Sequence, residues 1–246
     1  MKKEQISKGL CLVIGGNGIV GQAICKKMIK EWDVISISRT TNKKIINDWK
    51  EYVCDVSKEE DFKKTVDEIE VNYGEIKVLI NCACIRPMKN SFEDNISKWQ
   101  DSILMNSLSL FVPSRIISEK MSKRRSGSII NVSSIYGMRG PKMNIYRESN
   151  FETEPDYAYT KSGAIGFTKY LASYLAKNNI RVNAVVLGGI ENNQQESFQK
   201  YYNDRVPMGR MCQKDEIGGI FNFLASKEAS YITGSIICVD GGWTAT

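Results

Sequence analysis

The chain has 246 residues, 42% of them hydrophobic and 25% charged. That composition is ordinary for a water-soluble globular protein and fits one large α/β domain or two small ones. No apolar run approaches the ~18 residues of a membrane span, and the apolar run after the charged start Met1-Lys2-Lys3-Glu4-Gln5 is too short for a signal peptide. A cytoplasmic location with no membrane partner is therefore expected. The net charge of +6 comes from widely spread Lys and Arg. One tight run, Lys123-Arg124-Arg125, follows a helical pattern, and a solvated helix end accounts for it. No nucleic-acid partner is expected, while a positive field suits phosphorylated small molecules.

No internal repeat, low-complexity tract or long linker interrupts the chain, so one domain over residues 1–246 is expected. The apolar run Leu10–Ile14 predicts a first strand, and residues 18–31 the helix after it. Strands follow at 34–38 and 52–54. Ser57-Lys58-Glu59-Glu60 reads as a capping box opening a helix toward Tyr73. A strand at 77–81 leads to a long helix over 96–123, then a strand at 128–132. The spacing predicts a helix over 157–177, a strand at 182–186, a helix over 215–224 and a last strand at Ile236–Val239. Alternating strands and helices argue an α/β fold, a doubly wound parallel sheet of the Rossmann type with helices on both faces. Ligands of such sheets bind at the carboxyl ends of the strands, which directs attention to the loops there.

After the first strand comes Gly15-Gly16-Asn17-Gly18-Ile19-Val20-Gly21, with Gly15, Gly18 and Gly21 three apart. Glycines here allow a tight turn, close approach of a pyrophosphate and tight helix–strand packing. Free N–H groups at the helix start, from Ile19 and Val20, then hold the anion. Dinucleotide binding is expected because strand, glycine turn and helix occur in that order. An acidic residue ending the second strand would hold a ribose 2′-OH and repel a 2′-phosphate. The chain instead has Ser38-Arg39-Thr40, with Lys43 and Lys44 beyond. A hydroxyl and a guanidinium suit a 2′-phosphate, so NADP is expected, with NAD as the alternative. Asp55, beside Val56 after the third strand, is placed to accept a bond from the adenine amino group or to serve the helix entry.

There is no histidine, so proton transfer must rest on Tyr, Lys, Cys or a carboxylate. Tyr157-Ala158-Tyr159-Thr160-Lys161 puts a phenol and an ammonium four residues apart on one helical face. A cation beside a phenol favours the phenolate and prepares it to pass a proton. The seven cysteines are scattered, and Cys82-Ala83-Cys84 finds no histidine or second Cys pair to complete a zinc set. No metal is expected.

Taken in order, these residues resemble the short-chain dehydrogenase/reductase family over nearly the whole chain. The glycine turn from Gly15 to Gly21 is similar to that family's glycine motif. Asn81-Cys82-Ala83-Cys84 stands where Asn-Asn-Ala-Gly is usual. Asn106 fits the active-site asparagine of the long helix, and Asn131-Val132-Ser133-Ser134 the strand carrying the active-site serine, Ser134. Tyr157 and Lys161 fit the Tyr-x-x-x-Lys pair. Residues 180–185 and 232–242 also match. The resemblance implies that Tyr157 exchanges a proton with the substrate oxygen. It makes Lys161 the holder of the nicotinamide ribose, Ser134 the donor to the substrate oxygen, and Asn106 the support of a relay water. Asn81, Ala83, Gly188 and Ile190 would join Tyr157 and Lys161 in contacting the cofactor. The chain departs from the pattern where Ile14 replaces a threonine, Cys84 a glycine, and Leu187-Gly188-Gly189 the usual Pro-Gly.

Ser134 and Tyr157 lie 23 positions apart, more than is usual in the family. The extra residues, within 138–156, include Arg139, Lys142, Tyr146, Arg147, Glu148, Glu152 and Glu154. They read either as a polar, partly basic lip of the substrate pocket or as a surface loop whose charges pair among themselves. Residues 190–207 are read as a polar substrate lid. These features are similar to bacterial oxidoreductases of surface-polysaccharide and flagellin-glycan pathways, including legionaminic-acid-type synthesis. That resemblance implies a small-molecule substrate of the sugar, sugar phosphate or sugar nucleotide class, handled by a homodimer or homotetramer. A 3-oxoacyl-(acyl-carrier-protein) reductase is the alternative enzyme, and a non-catalytic nucleotide-binding scaffold the alternative outside enzymes.

Overall fold

The computed structural model describes residues 7–40 and 48–246. Its centre is a parallel sheet of β1 (Leu10–Ile14), β2 (Asp33–Ser38), β3 (Lys50–Val53), β4 (Ile76–Asn81), β5 (Gly127–Ser134), β6 (Ile180–Leu187) and β7 (Ile236–Val239). The strand order is β3-β2-β1-β4-β5-β6-β7. The chain works outward from β1 to β3, then crosses back to place β4 on the other side of β1. That reversal makes a crevice at the carboxyl ends of β1 and β4, where doubly wound sheets bind ligands.

The strands are apolar on both faces because helices cover both. Side chains alternate along β1: Leu10, Leu12 and Ile14 enter one core, Cys11 and Val13 the other. The first core also holds Phe62, Val66 and Ile69 of α2 (Glu59–Tyr73), Ile117 and Met121 of α3 (Ile96–Arg124), and Leu171 and Leu175 of α4 (Pro155–Leu175). The second takes Ile24 and Met28 of α1 (Ile19–Met28) together with the apolar face of a later helix, Gly218–Ala225. Each fully buried side chain of this size contributes about 1.5–3 kcal/mol.

Two predicted features are corrected. Ser57 does not cap α2, whose N-cap is Lys58 with no side-chain bond. The Ser57 hydroxyl and N–H both donate to Asp55 Oδ1, at 2.7 and 3.1 Å, forming a local turn that competes with the capping geometry. The second correction concerns residues 190–207. They contain a helix, α5 (Glu196–Arg205), which buries Phe198 and Tyr202. The Gly218–Ala225 helix is accordingly α6. Around α5 a third core gathers Ile135, Tyr136, Ile145, Tyr146, Met211 and Trp243. No described helix is long and apolar enough to cross a membrane.

Candidate active site

The turn after β1 has the shape that its glycines allow. Gly15 sits at φ +86°, and a Cβ there would come within 2.7 Å of the Ala83 backbone. Gly16 lies against Ser36, where a Cβ would fall 2.3 Å from its Cβ. Gly21 packs the first turn of α1 onto the loop, its position only 2.2 Å from the Gly15 carbonyl oxygen if a Cβ were added. Gly18 is different: a Cβ there would meet nothing closer than 3.5 Å. Nothing within the chain requires a glycine at this position by contact. Gly18 is the N-cap of α1 and has no side chain to satisfy the first N–H groups of the helix, which therefore face the cleft as donors.

That cleft has a volume of about 450 Å³. Among the predicted cofactor residues, Gly15, Asn17, Gly18, Ile19, Val20, Ser38, Arg39, Asp55, Val56 and Ala83 all line it. Cys54, Cys82, Ile85 and Met105, which sequence reasoning passed over, line it too. Its far edge is built by Asn17, whose N–H donates to Ser38 Oγ at 3.3 Å and whose Nδ2 donates to the Thr40 carbonyl at 2.6 Å. Arg39 stands exposed beside them. Burial opposes charge on Asp55, but the two Ser57 bonds and the Arg39 cation outweigh it and hold the carboxyl below its ordinary range. Lys43 and Lys44 lie outside the described residues.

Five predicted cofactor residues do not line it: Asn81, Tyr157, Lys161, Gly188 and Ile190. Asn81 is buried, and its Nδ2 donates to Ser114 Oγ at 3.0 Å and Asn131 Oδ1 at 2.9 Å. It ties β4 to β5 and α3 and borders a small hollow beside the cleft. Gly188 and Ile190 are drawn toward α5 and residue 212. The Gly189 N–H donates to Tyr202 Oη, and the Cys212 N–H to the Gly189 carbonyl at 2.9 Å.

Ser134 ends β5, where its Oγ accepts the Tyr136 N–H at 3.3 Å. The hydroxyl proton is left to donate outward. Tyr157 stands in the first turn of α4, and Lys161 follows one turn later with its Nζ 5.7 Å from the Tyr157 ring centre. Lys161 Nζ donates to the Val132 carbonyl at 3.0 Å. An ammonium has three N–H bonds, so two remain. Burial disfavours the Lys161 charge, but Cys84, Tyr157 and Cys82 together outweigh it and keep the pKa above its ordinary value. A small hollow containing Asn106, Thr160 and Lys161 adjoins the cleft through Ala83, Cys84 and Ser109. Burial pushes the Cys82 thiol up to about 12, which makes it an inert wall.

Asn106 stands in that hollow and is bonded to the loop after β4. Its Oδ1 accepts the Ile85 N–H at 2.9 Å, and its Nδ2 donates to the Ile85 carbonyl at 3.0 Å and Ser102 Oγ at 3.1 Å. Its own carbonyl accepts Ser109 Oγ at 3.1 Å. The side chain is committed to clamping the loop after β4, so it is a positioning residue.

Residues 18–244 match a family model described as enoyl-(acyl carrier protein) reductase. Nodulation protein G of Azospirillum brasilense is 34% identical over 96% of this chain and 98% of its own. The chain belongs to the short-chain dehydrogenase/reductase family. Within it, the 3-oxoacyl-[acyl-carrier-protein] reductase FabG of Thermotoga maritima is 31% identical, over 95% of this chain and 96% of its own. A short-chain dehydrogenase from Leptospira borgpetersenii, solved with bound NAD+, superposes with a TM-score of 0.88 at 30% identity, covering 98% of this chain and 94% of that one. The protein is thus an oxidoreductase of this family.

Tyr157 of this short-chain dehydrogenase packs on segments that the sequence treated separately. Residues 138–156 fold onto α5: Phe198 packs against Tyr146 and Phe151 at 5.2 and 5.0 Å between ring centres. The Ser197 hydroxyl donates to the Glu148 carbonyl at 3.0 Å, and the Asn150 N–H to Gln195 Oε1 at 3.0 Å. Tyr146 and Tyr136 share a buried hydroxyl pair at 2.6 Å. Burial raises the pKa of both, so both hydroxyls stay neutral. The basic residues of the segment turn outward: Arg139 donates to the Thr244 carbonyl at 3.1 Å, and Arg147 stacks 3.8 Å from the Tyr201 ring centre. The cation against Tyr157 comes from another loop. Arg86 lies 4.5 Å from the Tyr157 ring centre.

Proposed function

We propose that the protein is an NADP-dependent oxidoreductase interconverting a hydroxyl and a ketone on a carbohydrate-type substrate. A sugar, sugar phosphate or sugar nucleotide of bacterial surface-glycan synthesis fits this reading. The observation that carries it is the surround of Tyr157, where the exposed Arg86 guanidinium stands 4.5 Å from the ring centre and the Tyr136–Tyr146 hydroxyl pair lies buried nearby. Such a surround suits a hydroxyl-rich ligand better than an acyl chain.

When bound, the nicotinamide cofactor supplies the hydride. The glycine turn and the first N–H groups of α1 would hold its pyrophosphate, and Lys161, with two free N–H donors, its ribose. Ser134 Oγ would donate to the substrate oxygen as negative charge grows there. Tyr157 Oη would give that oxygen its proton, leaving an alcohol, and would take one back in the reverse direction. Asn106 would fix the loop that forms the floor of the site.

A 3-oxoacyl thioester reductase is the second reading, favoured by the identity to the Thermotoga maritima enzyme. Turnover of NADPH and NADH with keto-sugars, sugar nucleotides and acetoacetyl thioesters tests both. Turnover of sugars supports the first reading; turnover of thioesters alone replaces it with the second. In the same assay Arg39→Glu is expected to cost NADPH about 10–100-fold in kcat/KM, the worth of a charge-assisted bond, with little change for NADH. Equal effects on the two cofactors would remove Arg39 from phosphate recognition.

The outer faces of α3 and α4 expose Leu104, Phe111, Tyr159, Tyr170 and Tyr174. We read them as the contact of a homodimer or homotetramer. Light scattering of the purified protein is expected to give twice or four times the chain mass of 27.8 kDa; a monomeric mass would refute it.

A further inference from the structure

We infer that Arg86 recognises an anionic group on the substrate, a carboxylate or a phosphate monoester carried beside the reacting carbonyl. The inference rests on Tyr157 as the proton donor and narrows the substrate class of that same site. Arg86 is exposed, and its guanidinium carbon lies 4.5 Å from the Tyr157 ring centre. A guanidinium over a ring keeps N–H groups at its edge for a planar acceptor. No hydrogen bond or ion pair among the described residues uses that edge. Carboxylates on the same loop and just before Tyr157 accept bonds from other groups. Asp94 accepts the Asn90 N–H at 2.9 Å and Lys98 Nζ at 2.6 Å. Glu154 accepts the Ser91 N–H at 2.7 Å, and Asp156 accepts the Ser102 hydroxyl.

The arginine is also held in place. Asn106 grips both the N–H and the carbonyl of Ile85, at 2.9 and 3.0 Å. Pro87 restricts Arg86 itself to extended backbone. Its Cα is therefore fixed from both sides, one residue beyond the Cys84 and Ile85 that line the cofactor cleft. The Arg86 charge is felt at Tyr146 on one side and Lys161 on the other. An unpaired, pre-positioned fork between the catalytic phenol and a neutral tyrosine pair is an anion subsite by chemistry. On the lip reading of residues 138–156 that segment would have supplied the basic group; here Arg86 takes that place.

The test uses matched pairs with NADPH: 5-ketogluconate against sorbose, dihydroxyacetone phosphate against dihydroxyacetone, and acetoacetate against its ethyl ester. The wild-type enzyme is expected to favour the anionic member at least tenfold in kcat/KM. In Arg86→Gln the ratio falls toward one, mainly through KM, and in Arg86→Lys it recovers in part. The pair with the larger ratio tells carboxylate from phosphate. A wild-type ratio near one overturns the inference. So does an Arg86→Gln enzyme that loses kcat on both members alike, because Arg86 then acts on Tyr157. Calorimetry of 5-ketogluconate and dihydroxyacetone phosphate into the NADP+-saturated protein separates this inference from the proposed reaction. Binding that weakens tenfold in Arg86→Gln upholds the anion site even where no ketone turns over. Absent or Arg86-independent binding overturns it.

Discussion

Tyr157→Phe is expected to lower turnover by about 10²–10⁴-fold, the range of a lost general acid, while NADPH binding persists. The chain offers no histidine to take over. Nor does a buried thiol serve, because Cys82 is pushed up to about 12. The buried tyrosines Tyr136 and Tyr146 are raised as well and bonded to one another. Phenylalanine keeps the ring that Arg86 covers at 4.5 Å and that packs on the third core. The substitution therefore removes one hydroxyl and little else. Tyr157 is not among the residues lining the cofactor cleft, so NADPH should still quench tryptophan fluorescence as in the wild type. Steady-state rates and a fluorescence titration decide the matter. Full activity in the variant would sink the proposed chemistry. Loss of NADPH binding would mean that the phenol also holds the cofactor.

The sheet and the cofactor turn were legible because each rests on a local pattern. Apolar runs of strand length alternate with helical periodicity, and the strand–glycine–helix order of residues 10–28 has one common structural solution. Ser134, Tyr157 and Lys161 were legible through family likeness, since spacing alone leaves Tyr-x-x-x-Lys ambiguous. Helix α5 was missed because its polar residues dominate composition. Its signal was the aromatic pair Phe198 and Tyr202, four residues apart, which marks one buried helical face. Ser57 was misread because a hydroxyl near a helix start can accept from a helix N–H or donate to a nearby carboxylate, and it bonds Asp55, two residues earlier. Arg86 could not be placed from sequence. Its meeting with Tyr157 joins the β4 loop to α4 across 71 positions of chain, and no periodicity encodes such a contact. The Asn106 partners on that same distant loop, the Ile85 N–H and carbonyl, were likewise out of reach of sequence patterns.

Gly21→Ala and Gly18→Ala are expected to fail in different ways, although both alter the same turn. At Gly21 the new Cβ would stand 2.2 Å from the Gly15 carbonyl oxygen and 2.8 Å from the Gly16 Cα. Both are backbone atoms, so no side chain can swing aside. Helix α1 must move away from the loop, at a cost of about 1–3 kcal/mol or more. For a chain of this size each kcal/mol lowers Tm by about 2–4 °C, and the N–H groups at the start of α1 lose their aim. Gly21→Ala should therefore melt earlier and show no thermal shift with NADPH. At Gly18 the Cβ would meet only the Gly15 oxygen at 3.5 Å, ordinary contact, and the backbone there has φ −74°. Alanine fits, and losing a glycine N-cap costs at most about 1 kcal/mol. The methyl group, however, projects where the pyrophosphate must approach the helix. Gly18→Ala should keep a near wild-type Tm without cofactor and lose most of the NADPH-induced rise. Thermal melts of both variants, with and without NADPH, read the two effects apart. A Gly21→Ala protein with wild-type Tm would show that the turn tolerates the extra atom. A Gly18→Ala protein with a full NADPH shift would place the phosphates away from the start of α1.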